Sequence, residues 1–388
     1  MKPTNPILSA YETSVFEVMS RLAREHQAVN LGQGFPDTNG PDDVRQFAVK
    51  ATEEGPNQYP PSPGLPELRK AVAAHDKRFY GLDLDWEREV IVTCGGTEAL
   101  ASCFFGLIEP GDEVVMFEPV FDTYMPVVRR AGGIPKLVRL EPPHWTIPRE
   151  ELRAAFSPKT KLIVLNSPMN PTGKVFNAEE LRTIAALMEE FDTYAVCDEV
   201  YEHLVYDGLK HIPLITLPGM RDRCLRISSA GKIFSLTGWK VGWIVGPARL
   251  VTPVFRAHQA IIFSVAPSLQ KAVAYGLGKD DAYFETLASG MQAKRDRFGA
   301  ALKRVGFEVF PTHGTYFISV DIRPMRKNED DLAFCKRLVT EAGVAAIPLS
   351  VLYEGELPRH YVRFSFCKSE SLLDEAAKRL ERYFAGQH

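Results

Sequence analysis

A lysine that follows a run of small residues is the first candidate for chemistry. Lys232 ends the segment 228–232 (SSAGK), a stretch with few charges. Desolvation lowers the pKa of a lysine, and its neutral amine can then form a Schiff base with a carbonyl compound. A lone lysine is more often a solvated surface residue. The segment is not a P-loop, because Ile233 stands where Ser or Thr is required.

Two further candidates lie where predicted strands end. Asp198 directly follows the strand-like run 194–197, and an acid buried there could hold a cationic nitrogen, bind a metal or cap a helix from Glu199. Capping is the commonest of these roles. Gly96 and Thr97 lie between a strand and a helix, where glycine allows close approach and free N–H groups face an anion. This turn is either a phosphate cradle or a tight strand-to-helix connection.

The fourth candidate is an arginine in a late strand-like segment, 361–367. Alternation puts Val362, Phe364 and Phe366 on one face and Arg363 on the other. The guanidinium group is then predicted to point out of the core. There it either binds a carboxylate through two hydrogen bonds or forms a surface salt bridge.

Alternating strand-like and helix-like segments position these candidates. Short apolar runs indicate strands at 89–93, 113–117, 161–165, 194–197, 225–227 and 241–245. Helices are predicted over 97–108 and from Asn177 to about Phe191, where Asn177 and Glu180 form a capping box. This alternation predicts an α/β fold with a mainly parallel sheet between helices. Ligands of such sheets bind beyond the carboxyl ends of the strands.

The last hundred residues are typical of a smaller α+β domain. Helices are predicted at 283–305, 330–342 and 369–384, with strands at 307–310, 316–322 and 361–367. The first 40 residues are predicted to be irregular and to pack on this domain. The expected organisation is therefore an N-terminal segment (1–45), a large domain (46–280) and a small domain (281–388).

Composition excludes several classes of protein. The 388 residues carry a net charge of −3 without a long run of one sign, so a nucleic-acid-binding stripe is not indicated. Six cysteines lack C-x-x-C spacing, which disfavours a zinc or disulfide framework. No run approaches the roughly 20 apolar residues of a membrane span, and the N-terminus lacks the apolar core of a signal peptide. A cytoplasmic protein without a metal is expected.

Longer motifs surround the candidates and occur in a fixed order. They are 29–37 (VNLGQGFPD), 57–59 (NQY), 118–124 (EPVFDTY), 170–173 (NPTG), 198–201 (DEVY) and 230–243 (AGKIFSLTGWKVGW). Together these motifs span positions 29–243. The sequence resembles the class I aminotransferases of the fold-type I pyridoxal-phosphate superfamily. Within them it is similar to kynurenine–oxoglutarate (glutamine) transaminases and bacterial methionine aminotransferases.

The resemblance implies pyridoxal 5′-phosphate as cofactor and assigns residues to each of its parts. Lys232 forms the Schiff base and then moves the proton at the substrate Cα, while Asp198 pairs with the pyridine nitrogen. Phe121 stacks on the ring, and Asn170 and Tyr201 bond its phenolic oxygen. The phosphate is held by Gly96, Thr97, Ser229 and Lys240, and by Tyr59 of the neighbouring subunit in a homodimer.

The resemblance also implies how the substrate is held. Arg363, Gly34 and Asn170 fix the substrate carboxylate, whereas Phe16, Phe35 and Phe263 match positions that line the side-chain pocket. Lys240 replaces the arginine of most relatives. Ser264 stands where animal kynurenine enzymes have histidine, which leaves kynurenine open as a substrate.

The implied activity is ping-pong transfer of an amino group from an L-amino acid to a 2-oxo acid. An apolar pocket predicts methionine, phenylalanine, tyrosine, glutamine or kynurenine as donors, and no clear second arginine is present for an aspartate specialist. One alternative is β-elimination on cysteine S-conjugates at the same site. A non-catalytic, cofactor-binding regulator is a third alternative. A nicotinamide dehydrogenase is a fourth, which is disfavoured because no G-x-G-x-x-G follows a strand.

Overall fold

The computed structural model describes residues 2–325 and 327–386. The strands are β1 (Val29–Asn30), β2 (Val90–Thr93), β3 (Glu113–Glu118), β4 (Ile134–Arg139), β5 (Thr160–Asn166), β6 (Tyr194–Asp198), β7 (Cys224–Ser229), β8 (Gly242–Val245), β9 (Glu308–Val309), β10 (Phe317–Asp321), β11 (Val344–Ala345), β12 (Ile347–Pro348) and β13 (Tyr361–Ser365). The helices are α1 (Val15–Glu25), α2 (Asp42–Glu54), α3 (Pro66–Tyr80), α4 (Gly95–Leu107), α5 (Tyr124–Arg130), α6 (Arg149–Ala155), α7 (Ala178–Glu190), α8 (Ala230–Ile233), α9 (Ala248–Ile261), α10 (Pro267–Leu277), α11 (Asp281–Val305), α12 (Asp331–Arg337) and α13 (Glu370–Ala385).

A central sheet has the strand order β2-β8-β7-β6-β5-β3-β4. Neighbouring strands run parallel except at β8, which is antiparallel to both β2 and β7. The predicted mainly parallel α/β fold is therefore confirmed. Strands β2, β3 and β7 are buried along their whole length, because helices cover both faces. The carboxyl ends of β2, β3, β5, β6 and β7 meet at one edge.

Local signals set the ends of the helices that follow these strands. The capping box of α7 is confirmed: Asn177 accepts from the backbone N–H of Glu180, and Glu180 accepts from that of Asn177, both at 3.0 Å. Helix α4 begins at Gly95, two residues earlier than predicted. Gly95 has φ +71°, a backbone conformation that suits glycine and turns the chain from β2 into the helix.

A second sheet lies in the C-terminal part of the chain. Its antiparallel order is β12-β13-β10-β9, and α11 packs against α13 beside it. The predicted helix over 330–342 is α12 followed by a π-helical turn at Leu338–Ala342. Strand β1 pairs in parallel with β11, which joins the N-terminal segment to this part of the chain.

Two predictions about local structure are wrong. Residues 15–25 form α1 rather than irregular chain, because Val15, Met19, Leu22 and Ala23 recur at helical spacing and turn to the core. No helix begins at Glu199; the residues after β6 form turns. The predicted boundary at 45/46 falls inside α2, and the division into three segments stays a prediction. Positions 1, 387 and 388 of that division lie outside the described residues.

The six cysteines carry free thiols, and all but Cys94 are buried. Within the described ranges, none of the helices combines the length and the apolar character that a membrane crossing needs.

Candidate active site

A cavity of about 340 Å³ opens at the carboxyl edge of the central sheet. It brings together almost all of the predicted site residues: Phe16, Gly34, Gly96, Thr97, Phe121, Asn170, Asp198, Tyr201, Ser229, Lys232, Lys240 and Arg363. Five strand ends supply most of them, whereas the N-terminal segment and β13 supply the others. Residues up to about 350 positions apart in sequence therefore share one site.

Lys232 lies in α8, directly after β7, and its side chain turns into the cavity. Its Nζ is 5.6 Å from the ring centroids of both Tyr201 and Tyr316. Burial in these surroundings lowers the pKa of Lys232 to about 8. Lys232 is therefore not a solvated surface residue, and its amine loses its proton far more readily than a free lysine.

Asp198 closes β6 and is 6% exposed. Its Oδ2 accepts a hydrogen bond from the hydroxyl of Tyr124 at 2.7 Å, but its Oδ1 is buried without any partner in the described chain. Burial raises the pKa of this carboxyl group, although the Tyr124 bond, the backbone N–H of Val200 and the charge of Lys232 oppose the rise. A helix cap is excluded, since no helix follows. A buried oxygen without a donor fits a missing cationic or N–H group.

Cationic and N–H groups converge at the start of α4. Gly96 and Thr97 line the cavity in the first turn of this helix. A Cβ built on Gly95 would lie 3.4 Å from the Nζ of Lys240, so the ammonium group faces the same turn. Ser229 lines the wall nearby, and its Oγ accepts from the N–H of Gly231 at 3.2 Å. This arrangement suits an anion.

Arg363 is 1% exposed and faces the cavity rather than solvent. Its Nη1 donates to Asn170 Oδ1 at 2.8 Å, and its Nη2 donates to the carbonyl of Gly32 at 2.7 Å. Its guanidinium carbon lies 3.9 Å from the ring centroid of Phe317. Burial lowers the pKa of Arg363 to about 10. The surface salt bridge is excluded, because β13 is buried on both faces and no described carboxylate lies within 4 Å.

The N-terminal segment passes directly over the cavity. A Cβ at Gly34 would lie 2.5 Å from the Cζ of Phe317, so only glycine fits this approach. The amide of Gln33 donates to the carbonyl of Phe16 at 3.1 Å, and both residues line the wall.

Two polar groups at the cavity mouth were missed by the sequence reasoning. The hydroxyl of Ser14 donates to Asp122 Oδ2 at 3.1 Å, and both residues line the cavity. Burial raises the pKa of the Asp122 carboxyl group. Asp122 lies inside the motif 118–124, which was a usable signal, whereas nothing marked Ser14.

The supports of Asp198 were also missed. Asn166, at the end of β5, donates from Nδ2 to the Asp198 carbonyl at 2.9 Å and accepts from the Asn170 N–H at 2.8 Å. Tyr124 is the last residue of the 118–124 motif, and its hydroxyl bonds the Asp198 carboxylate itself. Both residues therefore fix the geometry of the neighbouring candidates.

Three predicted aromatic residues lie outside the cavity. Tyr59 is 85% exposed, and its ring meets that of Phe263 edge-on at a centroid distance of 5.6 Å. Phe263 does not line the pocket of its own chain, since it is 47% exposed at φ +69°. Phe35 is also exposed, with the Nζ of Lys368 4.0 Å from its ring centroid.

Comparison with known proteins shows what this site belongs to. The family of class I and II aminotransferases matches residues 26–380, which include all the strands β1 to β13. The chain belongs to this aminotransferase family.

Relatives of known name match this aminotransferase over nearly its whole length. It is 44% identical to the probable N-succinyldiaminopimelate aminotransferase of Mycobacterium tuberculosis, covering 96% of each chain. The solved structure of the M. tuberculosis enzyme superposes with a TM-score of 0.96, over 98% of this chain and 100% of that one. The methionine aminotransferase of Escherichia coli is 38% identical, covering 95% of this chain and 96% of its own. Human kynurenine–oxoglutarate transaminase 1 is also 38% identical, covering 94% of each.

Proposed function

We propose that this aminotransferase binds pyridoxal 5′-phosphate in the cavity and moves an amino group between an α-amino acid and a 2-oxo acid by a ping-pong route. The observation that carries the proposal is the buried Asp198 Oδ1, which lacks a donor in the same cavity that holds a lysine of lowered pKa. A protonated pyridine nitrogen supplies such a donor. When bound, the cofactor supplies an aldehyde for the amino group and a ring that accepts electrons.

The chain's own residues then divide the work. Asp198 holds the proton on the ring nitrogen, and Tyr124 keeps the carboxylate oriented for this. Lys232, whose pKa of about 8 lies near neutrality, takes and returns the proton at the substrate Cα. Burial raises the pKa of Tyr201, so its hydroxyl stays protonated and donates to the phenolic oxygen together with Asn170.

The remaining wall residues position the cofactor. Phe121, three residues beyond the carboxyl end of β3, lines the cavity and would stack on the ring. Gly96, Thr97, Ser229 and Lys240 hold the phosphate through the first turn of α4 and one ammonium group.

The charges of the cavity favour donors with an uncharged side chain. The cations that line it in the described chain are Lys232, Lys240 and Arg363. The first two are committed to the cofactor, so Arg363, helped by Asn170 and Gly34, is left for the substrate α-carboxylate. Phe16 and Phe317 offer apolar surface beside it. Methionine, phenylalanine, tyrosine, glutamine and kynurenine therefore fit better than donors with a distal carboxylate.

The M. tuberculosis relative is named for N-succinyldiaminopimelate, a substrate with additional carboxylates. With Lys232 and Lys240 committed to the cofactor, the cavity lining of the described chain offers no further cation for those carboxylates. A half-reaction screen separates the two donor classes: each amino acid is mixed with the cofactor-loaded protein, and loss of the aldehyde form is followed by absorbance. Fast conversion by methionine, phenylalanine or glutamine supports the uncharged class. Conversion by the succinylated donor alone would contradict it.

We also propose a homodimer in which Tyr59 reaches the partner's phosphate and Phe263 the partner's side-chain pocket. Both aromatic residues are exposed and in contact with one another, which supports a role outside their own cavity. Sedimentation of the loaded protein tests the dimer.

Lys232→Ala tests the proposed function most directly. Turnover should fall by roughly 10⁴-fold, the upper range for loss of a general acid–base group, and the yellow band of the loaded protein should disappear. Lys50→Ala, an exposed lysine on α2, provides the matched control and should leave both unchanged. Turnover retained in Lys232→Ala contradicts the proposal.

A second candidate activity, β-elimination on cysteine S-conjugates, would use the same residues. Lys232 would again take the proton from the substrate Cα, and a good leaving group would depart from the β carbon. Pyruvate released from a cysteine conjugate without any 2-oxo acid favours this activity.

A further inference from the structure

A buried histidine behind the cavity wall joins α4 to a surface loop. His258, in the last turn of α9, has a fully buried side chain. Its Nδ1 lies 3.2 Å from each carboxylate oxygen of Glu98, and its Nε2 lies 3.0 Å from the carbonyl oxygen of Ser62. Both ring nitrogens therefore face acceptors. Such a ring carries two protons unless the carboxyl group is itself protonated.

The surroundings of Glu98 decide between these two states. Glu98 lies in the first turn of α4, and its Oε2 accepts the backbone N–H of Cys94 at 2.9 Å. Its Oε1 accepts the hydroxyl of Ser102. Two donors and the positive end of the helix dipole stabilise the carboxylate form. The arrangement of donors and acceptors around the two side chains therefore fits an ion pair between His258 and Glu98.

This pair lies next to the residues proposed to hold the phosphate. Glu98 directly follows Thr97 in the first turn of α4, and this turn faces the cavity. A carboxylate at this position without a partner would repel a phosphate dianion, because the interior screens charges weakly. The positive charge of His258 cancels that repulsion.

The same histidine also fixes the loops that carry the exposed aromatic residues. The hydroxyl of Ser62 donates to the carbonyl of Phe263 at 2.6 Å, and the carbonyl of His258 accepts the N–H of Phe263 at 3.2 Å. Tyr59 then packs edge-on against the Phe263 ring. The His258 side chain thus links α4 to the Ser62 loop, while its backbone carbonyl contacts the Phe263 loop.

We propose that His258 is a positioning residue for cofactor binding: its imidazolium neutralises Glu98 at the phosphate turn of α4 and holds the Ser62 loop in place. The inference rests on the proposed function, which places the phosphate at this turn. His258 acts through Glu98 and Ser62 and does not line the cavity.

Two single variants separate the electrostatic role from a purely structural one. His258→Gln leaves an uncompensated Glu98 anion, so affinity for pyridoxal phosphate should fall roughly 5- to 30-fold. Affinity for pyridoxal, which lacks the phosphate, should stay within about twofold. Glu98→Gln deletes the same ion pair but leaves no anion, and should retain the affinity for both compounds. Equal losses in the two variants, or equal losses for the two compounds, would overturn the proposal.

The protonation state of His258 gives a readout that does not depend on the cofactor. In ¹⁵N-histidine-labelled protein at neutral pH, both ring nitrogens of His258 should carry protons. A proton missing from either ring nitrogen would show an uncharged imidazole and overturn the proposal even if His258→Gln fails to fold. Failure of the proposed function would be seen separately, as wild-type protein that forms no yellow complex with pyridoxal phosphate.

Discussion

Arg226 on β7 and Arg363 on β13 are both almost completely buried, yet their guanidinium groups meet opposite surroundings. Arg226 donates to three carboxylates: Nη1 bonds both oxygens of Asp76 at 2.7 and 2.8 Å, Nε bonds Glu199, and Nη2 bonds Glu202. Arg363 donates only to neutral oxygens, and its Nε has no partner in the described chain. One buried cation is neutralised from within and the other is not.

The two pKa values move in opposite directions for this reason. Burial lowers the pKa of both guanidinium groups. At Arg226 the charges of Asp76, Glu202 and Glu199 outweigh burial and raise the pKa well above its ordinary value. At Arg363 burial dominates and lowers the pKa to about 10. A buried charge that the chain leaves uncompensated indicates a ligand of opposite charge, here the substrate carboxylate.

The hydrogen-bonding groups around Arg226 pair with one another and need no ligand. This Arg226 cluster comprises Arg226, Asp76, Glu199, Glu202, His75 and His203. His75, Glu202 and His203 bring ligand-type atoms within 4.8 Å of one another, as a metal site would. The oxygens of Glu202, however, already accept from Arg226, Tyr80 and Ser228. The two histidine Nε2 atoms bond each other at 2.9 Å. Because Glu199 and Glu202 accept hydrogen bonds from Arg226, the cluster anchors the turn 199–202, which holds Tyr201 and directly follows Asp198.

Arg226→Met should cause the largest change in stability. It leaves three carboxylates buried without their cation, which costs about 3–5 kcal/mol of unfolding free energy. Urea unfolding of the apo protein measures this. Arg297→Met is the matched control, because Arg297 pairs with Glu370 and Asp374 at the surface, and it should lose at most about 1 kcal/mol. Similar losses in both variants would contradict the comparison.

Arg363→Met should show the reverse pattern. Loss of the carboxylate contact should lower kcat/KM for the amino donor roughly 10²- to 10³-fold. Apo stability should stay within about 1 kcal/mol of wild type, since removal of an unpaired buried cation offsets two lost hydrogen bonds. Steady-state kinetics and urea unfolding of one preparation measure both effects. A stability loss as large as that of Arg226→Met would mean that Arg363 is a structural residue.

Lys232→Met should stabilise the apo protein in a pH-dependent way. The folded pKa of about 8 lies below the unfolded value of about 10.4, so the unfolded chain binds more protons between these values. Burial of the charged lysine therefore lowers the unfolding free energy of the wild type. This loss is fully present below pH 8 and fades as the pH rises to about 10.4. The unfolding free energy of the variant should therefore exceed that of wild type by about 1–2 kcal/mol at pH 7, a figure reduced because the lysine is partly exposed. Near pH 10.4 the two proteins should be equally stable. A difference that does not change with pH would break the assignment.

Features coded by neighbouring residues were predictable from the sequence. The capping box of α7 needs only Asn177 and Glu180, three positions apart. Strand ends were predictable from apolar runs, and the structure brings the predicted residues Lys232, Asp198 and Arg363 together in one cavity. Helix α1 was also predictable, because its apolar residues recur at helical spacing.

Features that depend on distant contacts were not predictable. Asp76 and Arg226 are 150 residues apart, and no sequence pattern near either residue predicts their contact. The inward direction of Arg363 depends on whether the second face of β13 is covered, which alternation along one strand cannot tell. In the same way, Phe263 matched a pocket position in the sequence, although its own chain leaves it at the surface.

The smallest expected effect concerns Tyr124, whose side chain donates a hydrogen bond to the Asp198 carboxylate. Tyr124→Phe removes the hydroxyl that opposes the effect of burial, so the pKa of Asp198 should rise further. If Asp198 must be ionised to hold the ring nitrogen's proton, the acidic limb of the kcat/KM profile should move up by about one pH unit. The plateau at higher pH should change little, because the carboxylate is ionised there in both proteins. An unmoved acidic limb would show that Asp198 ionisation does not limit the reaction. Asp198 would then resemble Arg226, whose partners lie within the chain, more than Arg363, whose Nε has no partner in the described chain.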